Sequence, residues 1–121
     1  DGGFQMTMYE MATMMENNIP VKIAILNNNY LGMVRQLQDL FHEKTYVAVE
    51  YTHNPDFVAL AKAYGIEAMQ VSRRAQVDPA IKAALNFPGP VLIDFLVERE
   101  ENVYPHIPSG TSVKEMIEKT P

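Results

Sequence analysis

Apolar positions along the chain change period several times, and each change marks an element. In residues 4–18, Met8, Met11, Ala12 and Met15 recur at helical spacing. Asn17 and Asn18 supply an end there, and Pro20 blocks continuation. Residues 21–27, VKIAILN, are β-branched and nearly all apolar, the pattern of a strand buried on both faces of a parallel sheet. Residues 30–44 predict a helix through Met33, Val34, Leu37, Leu40 and Phe41. Residues 45–53 predict irregular or briefly extended chain. Residues 54–65 predict a further helix, with Asn54 as N-cap, Pro55 in the first helical position and Gly65 as the stop. Residues 66–72 and 90–98 predict strands, the second strongly apolar. Between them residues 75–87 predict a helix that Pro79 confines to a start near Val77 or Asp78.

This order of elements predicts an α/β fold, a parallel sheet with crossover helices. Residues 1–100 form its body. After Glu98 the texture changes: Pro105, Pro108, Gly110 and Pro121 punctuate a stretch with few core residues. Residues 101–121 therefore predict an extended arm with a short helix at 112–118. In parallel sheets of this kind, ligands sit outside the carboxyl ends of the strands. Three consecutive asparagines, Asn27, Asn28 and Asn29, lie at one such end.

Composition narrows the function. At 121 residues the chain fits one domain with a modest core. Its net charge is −5 with Lys and Arg scattered, which argues against nucleic acid as a partner. Cysteine is absent, so there is no disulfide frame and no thiolate site. No apolar run approaches the ~20 residues that span a bilayer, and no signal peptide is visible. His42, His53 and His106 have no metal-ligand spacing; His42 falls near a helix C-terminus, where a cation is favoured.

The residues that carry chemistry are Asp1 and Asn28. Each offers a hard oxygen, and Mg²⁺ prefers about six, usually shared with phosphates. Gly2 and Gly3 let backbone N–H groups approach a bulky anion, and a helix start beyond them favours phosphate. The loop NNNYLG repeats that strand–loop–helix geometry. Two such corners could grip one diphosphate–metal group. The same residues also suit a plainer reading: asparagine runs form turns, Asn28 or Asn29 can cap a helix, and a Gly pair can be loop.

Asp1-Gly2, a 24-residue spacer from Gly3 to Leu26, then Asn27-Asn28 resembles the thiamine diphosphate motif, with its first glycine falling just before Asp1. The stretches DGGFQMTMYEMATMMENNIPVKIAILNNNYLGMVRQ, NPDFVALAKAYGI and PGPVLIDFLVEREENVYPHIPSG resemble the catalytic subunit of the acetolactate synthase (acetohydroxyacid synthase) family. The resemblance covers essentially the whole chain, as the C-terminal part of a thiamine diphosphate-binding fold truncated at its N-terminus. Pyruvate oxidases, pyruvate decarboxylases and glyoxylate carboligases share the metal motif; NYLGMVRQ and EENVYP point to acetolactate synthase.

The resemblance implies an enzyme that decarboxylates pyruvate and condenses it with a second 2-keto acid, giving 2-acetolactate or 2-aceto-2-hydroxybutyrate in branched-chain amino acid biosynthesis. It implies thiamine diphosphate and Mg²⁺ as cofactors, with FAD in the parent enzyme but not on this segment. Asp1 and Asn28 would hold Mg²⁺ by side chains and Tyr30 by its backbone carbonyl. Gly2, Gly3 and Gly32, with the neighbouring N–H groups, would contact the diphosphate. Leu31 would belong to the same cofactor loop, and Met6 and Met33 would wall the cofactor rings. Leu37 would line the substrate channel, where the family often carries tryptophan and sulfonylurea-type herbicides bind. His106 and Ser109 also depart from the family pattern. The glutamate that activates the cofactor would come from another domain on a partner subunit, so no catalytic acid or base is assigned here. The implied partners are the remaining domains, a homodimer or homotetramer, and a regulatory small subunit. The implied location is cytoplasmic in bacteria, or plastid or mitochondrial in eukaryotes. Alone, the 121 residues are expected to be an inactive, self-associating module.

Overall fold

A computed structural model describes residues 1–118. The last residues of the expected arm lie outside that range. Three parallel strands form the sheet: β1 (Lys22–Asn27), β2 (Glu67–Val71) and β3 (Val91–Leu96), in the order β1-β3-β2. Register runs Ile25↔Asp94 and Gln70↔Asp94 across the central strand. The most apolar segment of the chain is thus the one flanked on both sides, with Val91, Leu92, Ile93 and Asp94 all buried.

Helices pack on both faces. On one, Met11 of α2 (Glu10–Glu16) and Phe57 and Ala61 of α4 (Phe57–Ala63) meet Ile25, Ala68 and Leu92. On the other, Ala80 and Ala84 of α5 (Val77–Asn86) meet Val71, Val91 and Ile93. Pro79 sits in the first turn of α5, where a missing N–H costs no helical bond.

Several expected boundaries shift, each for a local reason. The single helix expected over residues 4–18 is two: α1 (Gly2–Gln5) and α2. Between them the bonds are i→i−3, from Thr7 N to Phe4 O and from Glu10 N to Thr7 O. Tertiary contacts pin both ends of this tighter stretch: Phe4 packs edge-on against Phe57, and Met11 is fully buried. β1 is an edge strand rather than one buried on both faces. Ile25 and Asn27 are buried, but Leu26 is 65% exposed.

The third helix, α3 (Gly32–Phe41), starts later than expected because Tyr30 is held in a bridge and Leu31, its N-cap, is not helical. Leu31 N donates to Val49 O and Tyr51 N to Asn29 O, forming a bridge between Tyr30 and Glu50. His42 caps α3, as its position predicted. The cap of α4 is Asp56, whose carboxylate accepts from Ala59 N at 2.9 Å, and not Asn54. Gly65 ends that helix region with φ +82°, a left-handed turn that glycine adopts without strain.

Beyond β3 the chain crosses α3. Gln36, buried, donates to Val103 O at 2.8 Å and accepts from Val103 N at 2.9 Å. Asn102 donates to Asp39 at 3.0 Å. The short helix expected at 112–118 is a single 3₁₀ turn, Val113–Glu115, and the chain then pairs Ile117 with His106.

Candidate cofactor and metal site

The end of β1 meets α1 and the loop before α4 through one side chain. Asn54 Nδ2 lies 2.6 Å from Asp1 Oδ2, 2.7 Å from Asn29 Oδ1 and 3.2 Å from Asn27 Oδ1. Its carbonyl accepts from Gln5 Nε2 at 2.9 Å. The amide has two hydrogens for three acceptors, so Asp1 and Asn29 take the short bonds. Asn29 can face this way because its backbone is left-handed, φ +58°. Residue 54, expected as a helix cap, is therefore the hub of the loop, and Asp56 does the capping in its place. Sequence reasoning missed this role. The signal was present as an Asn-Pro-Asp run that offers two caps for one helix.

Asp1 has one oxygen held by Asn54 and the other, Oδ1, buried with no partner among the described residues. An unpaired buried carboxylate oxygen is costly unless something fills it. Asn28 points elsewhere: its Oδ1 accepts from Tyr30 N at 3.1 Å, and its Nδ2 lies 3.3 Å from where a Cβ on Gly32 would stand. That carbonyl keeps a second lone pair. The bridge to Glu50 uses Asn29 and Leu31, leaving the Tyr30 carbonyl out of it. The Tyr30 ring is held by the Arg35 and Arg99 guanidinium groups, 5.2 and 4.9 Å from its centroid. Arg99 also pairs with Glu50.

These donors are all oxygens, with one carboxylate, as suits a hard cation that completes its shell on phosphate. Among the described residues no cluster of three or more His, Cys, Asp or Glu offers another kind of metal centre. The residues present fit Mg²⁺.

The glycines differ. A Cβ on Gly2 would lie 2.6 Å from Tyr51 Oη and 2.8 Å from Leu31 Cδ2, so Gly2 is needed for packing. A Cβ on Gly3 would meet nothing within 4 Å, so Gly3 faces open space. α1 is a single turn, too short to contribute the helix-end field expected from a long helix. Met6 and Met33 are 68% and 69% exposed, leaving both thioethers free to meet a ligand. Leu37 lines an open cavity of about 650 Å³ with Val34, Phe41 and Val47.

Residues 1–95 match the family described as thiamine pyrophosphate enzyme, C-terminal TPP binding domain. The chain belongs to that family. Among curated relatives it is 43% identical over 119 residues to the acetolactate synthase isozyme 2 large subunit of Escherichia coli, covering 98% of this chain and 22% of that one. It is 46% identical to the mitochondrial acetolactate synthase of Schizosaccharomyces pombe, covering 97% and 17%. It is 42% identical to the chloroplastic acetolactate synthase 2 of Zea mays, covering 97% and 19%. The chain thus spans about a fifth of the length of these relatives. A solved thiamine diphosphate-dependent 4-hydroxybenzoylformate decarboxylase from Rhodococcus jostii RHA1 superposes with a TM-score of 0.77 at 27% identity, over 84% of this chain and 19% of that one. The resemblance to acetolactate synthase and the parallel α/β fold are both borne out.

Proposed function

We propose that the chain is the diphosphate- and Mg²⁺-holding part of an acetolactate synthase. The observation that carries this is the Asp1 carboxylate, fixed through one oxygen with the other buried and unpartnered, at the carboxyl end of β1. Asp1 Oδ1, Asn28 Oδ1 and the Tyr30 carbonyl would hold the metal. Gly3 and the N–H group of Gly32 would face the diphosphate, with Gly2 keeping the close packing beneath them and Leu31, its own N–H bonded to Val49 O, shaping the loop between. Met6 and Met33 would exclude water from the cofactor rings. Leu37 would shape the route of the incoming 2-keto acid.

Bound thiamine diphosphate supplies the carbon–carbon bond chemistry. This chain's residues supply position, and none of them acts as acid or base toward substrate. Residues 1–100 would form this holding unit, and the described part of the arm, residues 101–118, would brace it. The activity belongs to a complete protein with further domains, an FAD site outside this segment and a homo-oligomeric assembly. Its compartment would be the bacterial cytoplasm or an organelle, as in the named mitochondrial and chloroplastic relatives.

The test supplies the full natural protein with pyruvate, Mg²⁺, thiamine diphosphate and FAD. Acetolactate as product supports the reading. Acetaldehyde or acetyl phosphate would leave the cofactor grip and replace the synthase with a decarboxylase or oxidase, a class to which the superposed decarboxylase belongs.

A further inference from the structure

We propose that Asn54 is a positioning residue that sets the orientation of the metal-binding carboxylate. The inference rests on the reading of Asp1 as a Mg²⁺ ligand. A free Asp side chain turns about its Cβ–Cγ bond with a broad, two-fold profile. Here that rotation is stopped. Asn54 Nδ2 holds Oδ2 at 2.6 Å, so Oδ1 is the oxygen left for a cation. The Asn54 amide cannot flip without loss, because its carbonyl receives Gln5 Nε2 at 2.9 Å and the Asp1 carboxylate can only accept. The same amide ties Asn29 at 2.7 Å, on the loop that carries Asn28 and Tyr30. One residue outside the motif thus fixes the angle between its two halves. Gln5 keys that residue from α1.

Mg²⁺ demands near-ideal octahedral geometry, whereas Ca²⁺ accepts six to eight ligands in flexible arrangements. A freed carboxylate therefore harms Mg²⁺ more than Ca²⁺. Loss of a group that orients a ligand typically weakens metal binding ~10–100-fold.

The experiment titrates Mg²⁺, and separately Ca²⁺, into the full natural protein in the presence of saturating thiamine diphosphate. Wild type, Asn54→Ala and Gln5→Ala are compared. For Asn54→Ala the half-saturating Mg²⁺ concentration should rise ~10–100-fold and that for Ca²⁺ clearly less. Gln5→Ala should move the same ratio in the same direction by a smaller factor, and it decides the matter if Asn54→Ala does not fold. An unchanged Mg²⁺ titration in the folded variants overturns the proposal. So does an equal loss for both ions, which is what a merely loosened loop gives. A wild-type protein that takes up thiamine diphosphate without any metal overturns the metal reading itself, and this inference with it.

Discussion

Adjacent glycines at the start of the chain separate a packing requirement from a ligand requirement. Gly2 is buried, and a Cβ there would stand 2.6 Å from Tyr51 Oη, 2.9 Å from Tyr51 Cε2 and 2.8 Å from Leu31 Cδ2. The tyrosine ring is rigid, and Tyr51 N is bonded to Asn29 O, so the ring cannot retreat without disturbing the asparagine loop. Overpacking of this kind costs roughly 1–3 kcal/mol. Replacing a helical glycine by alanine returns roughly 0.5–1 kcal/mol. The net for Gly2→Ala is a loss of about 0–2.5 kcal/mol with its midpoint just above 1, which lowers the melting temperature by roughly 3–6 °C per kcal/mol for a chain of this size. Gly3→Ala carries the same helical gain with no clash, because nothing lies within 4 Å of its Cβ. Its melting temperature should hold or rise by a few degrees. Circular dichroism melts of the 121-residue chain, without ligand and at low concentration, read both. On the proposed reading, Gly3→Ala in the full protein should still weaken thiamine diphosphate binding, since the new methyl would occupy the open side assigned to the diphosphate. A Gly2→Ala chain as stable as Gly3→Ala would refute the packing argument. A Gly3→Ala protein that binds the cofactor normally would refute the cradle.

Other consequences are local. Leu92→Ala removes a fully buried side chain from the central strand and should cost ~2–5 kcal/mol, read from a urea midpoint. Gln36→Ala removes both bonds to Val103, so trypsin should cut at Arg99 faster than in wild type while cutting elsewhere is unchanged. The Tyr46 hydroxyl, bonded at 2.6 Å, holds the Asp39 carboxyl below its usual range, with Asn102 adding to the effect. A lowered folded pKa contributes stability above the unfolded value of ~3.9 that is lost as pH falls through the folded one. Tyr46→Phe should therefore be slightly less stable than wild type near neutral pH and converge with it in acid; a gap that widens on acidification would contradict this. On the acetolactate synthase reading, Leu37 weakens sulfonylurea sensitivity while sparing catalysis, so Leu37→Trp in the full protein should strengthen inhibition through a stacking surface worth ~0.5–1.5 kcal/mol; identical inhibition curves would sink that expectation.

The body of the fold was legible because its signals are local and periodic. β3 is apolar but for Asp94 and proved central, and Gly65 stops the α4 region as glycine should. What sequence could not show were decisions made by tertiary contacts. Residues 4–18 carry helical spacing, yet the Phe4–Phe57 contact and the burial of Met11 impose a tighter turn between two short helices. Exposure of the Leu26 face of β1 depends on what packs beside it, which no property of VKIAILN encodes. At the site, residue type and spacing drew attention to Asp1, and the structure gives it a carboxylate held through one oxygen with the other buried. Neither signal pointed to Asn54, because its amide spans 53 residues to reach Asp1 and 25 to reach Asn29.

Three consecutive amides at the end of a strand now have separate reasons. Asn27 is the last residue of β1 and is buried, with its carbonyl 3.2 Å from Asn54 Nδ2, the longest of that amide's three contacts. Asn28 folds its carbonyl onto Tyr30 N and so tightens the turn, keeping a lone pair for a cation. Asn29 takes the left-handed backbone that turns the chain and directs its own carbonyl to Asn54. Asparagine meets all three demands because it is short, tolerates left-handed φ, and carries donor and acceptor without charge. Aspartate at 27 or 29 would set a second carboxylate beside Asp1, where like charges oppose ionisation. On the proposed reading, a loop that presents a single negative charge to a divalent cation and its diphosphate fills its other positions with amides. The run of three thus sets neutral amides near the one carboxylate, with Asn29 tied to the same Asn54 amide that holds it.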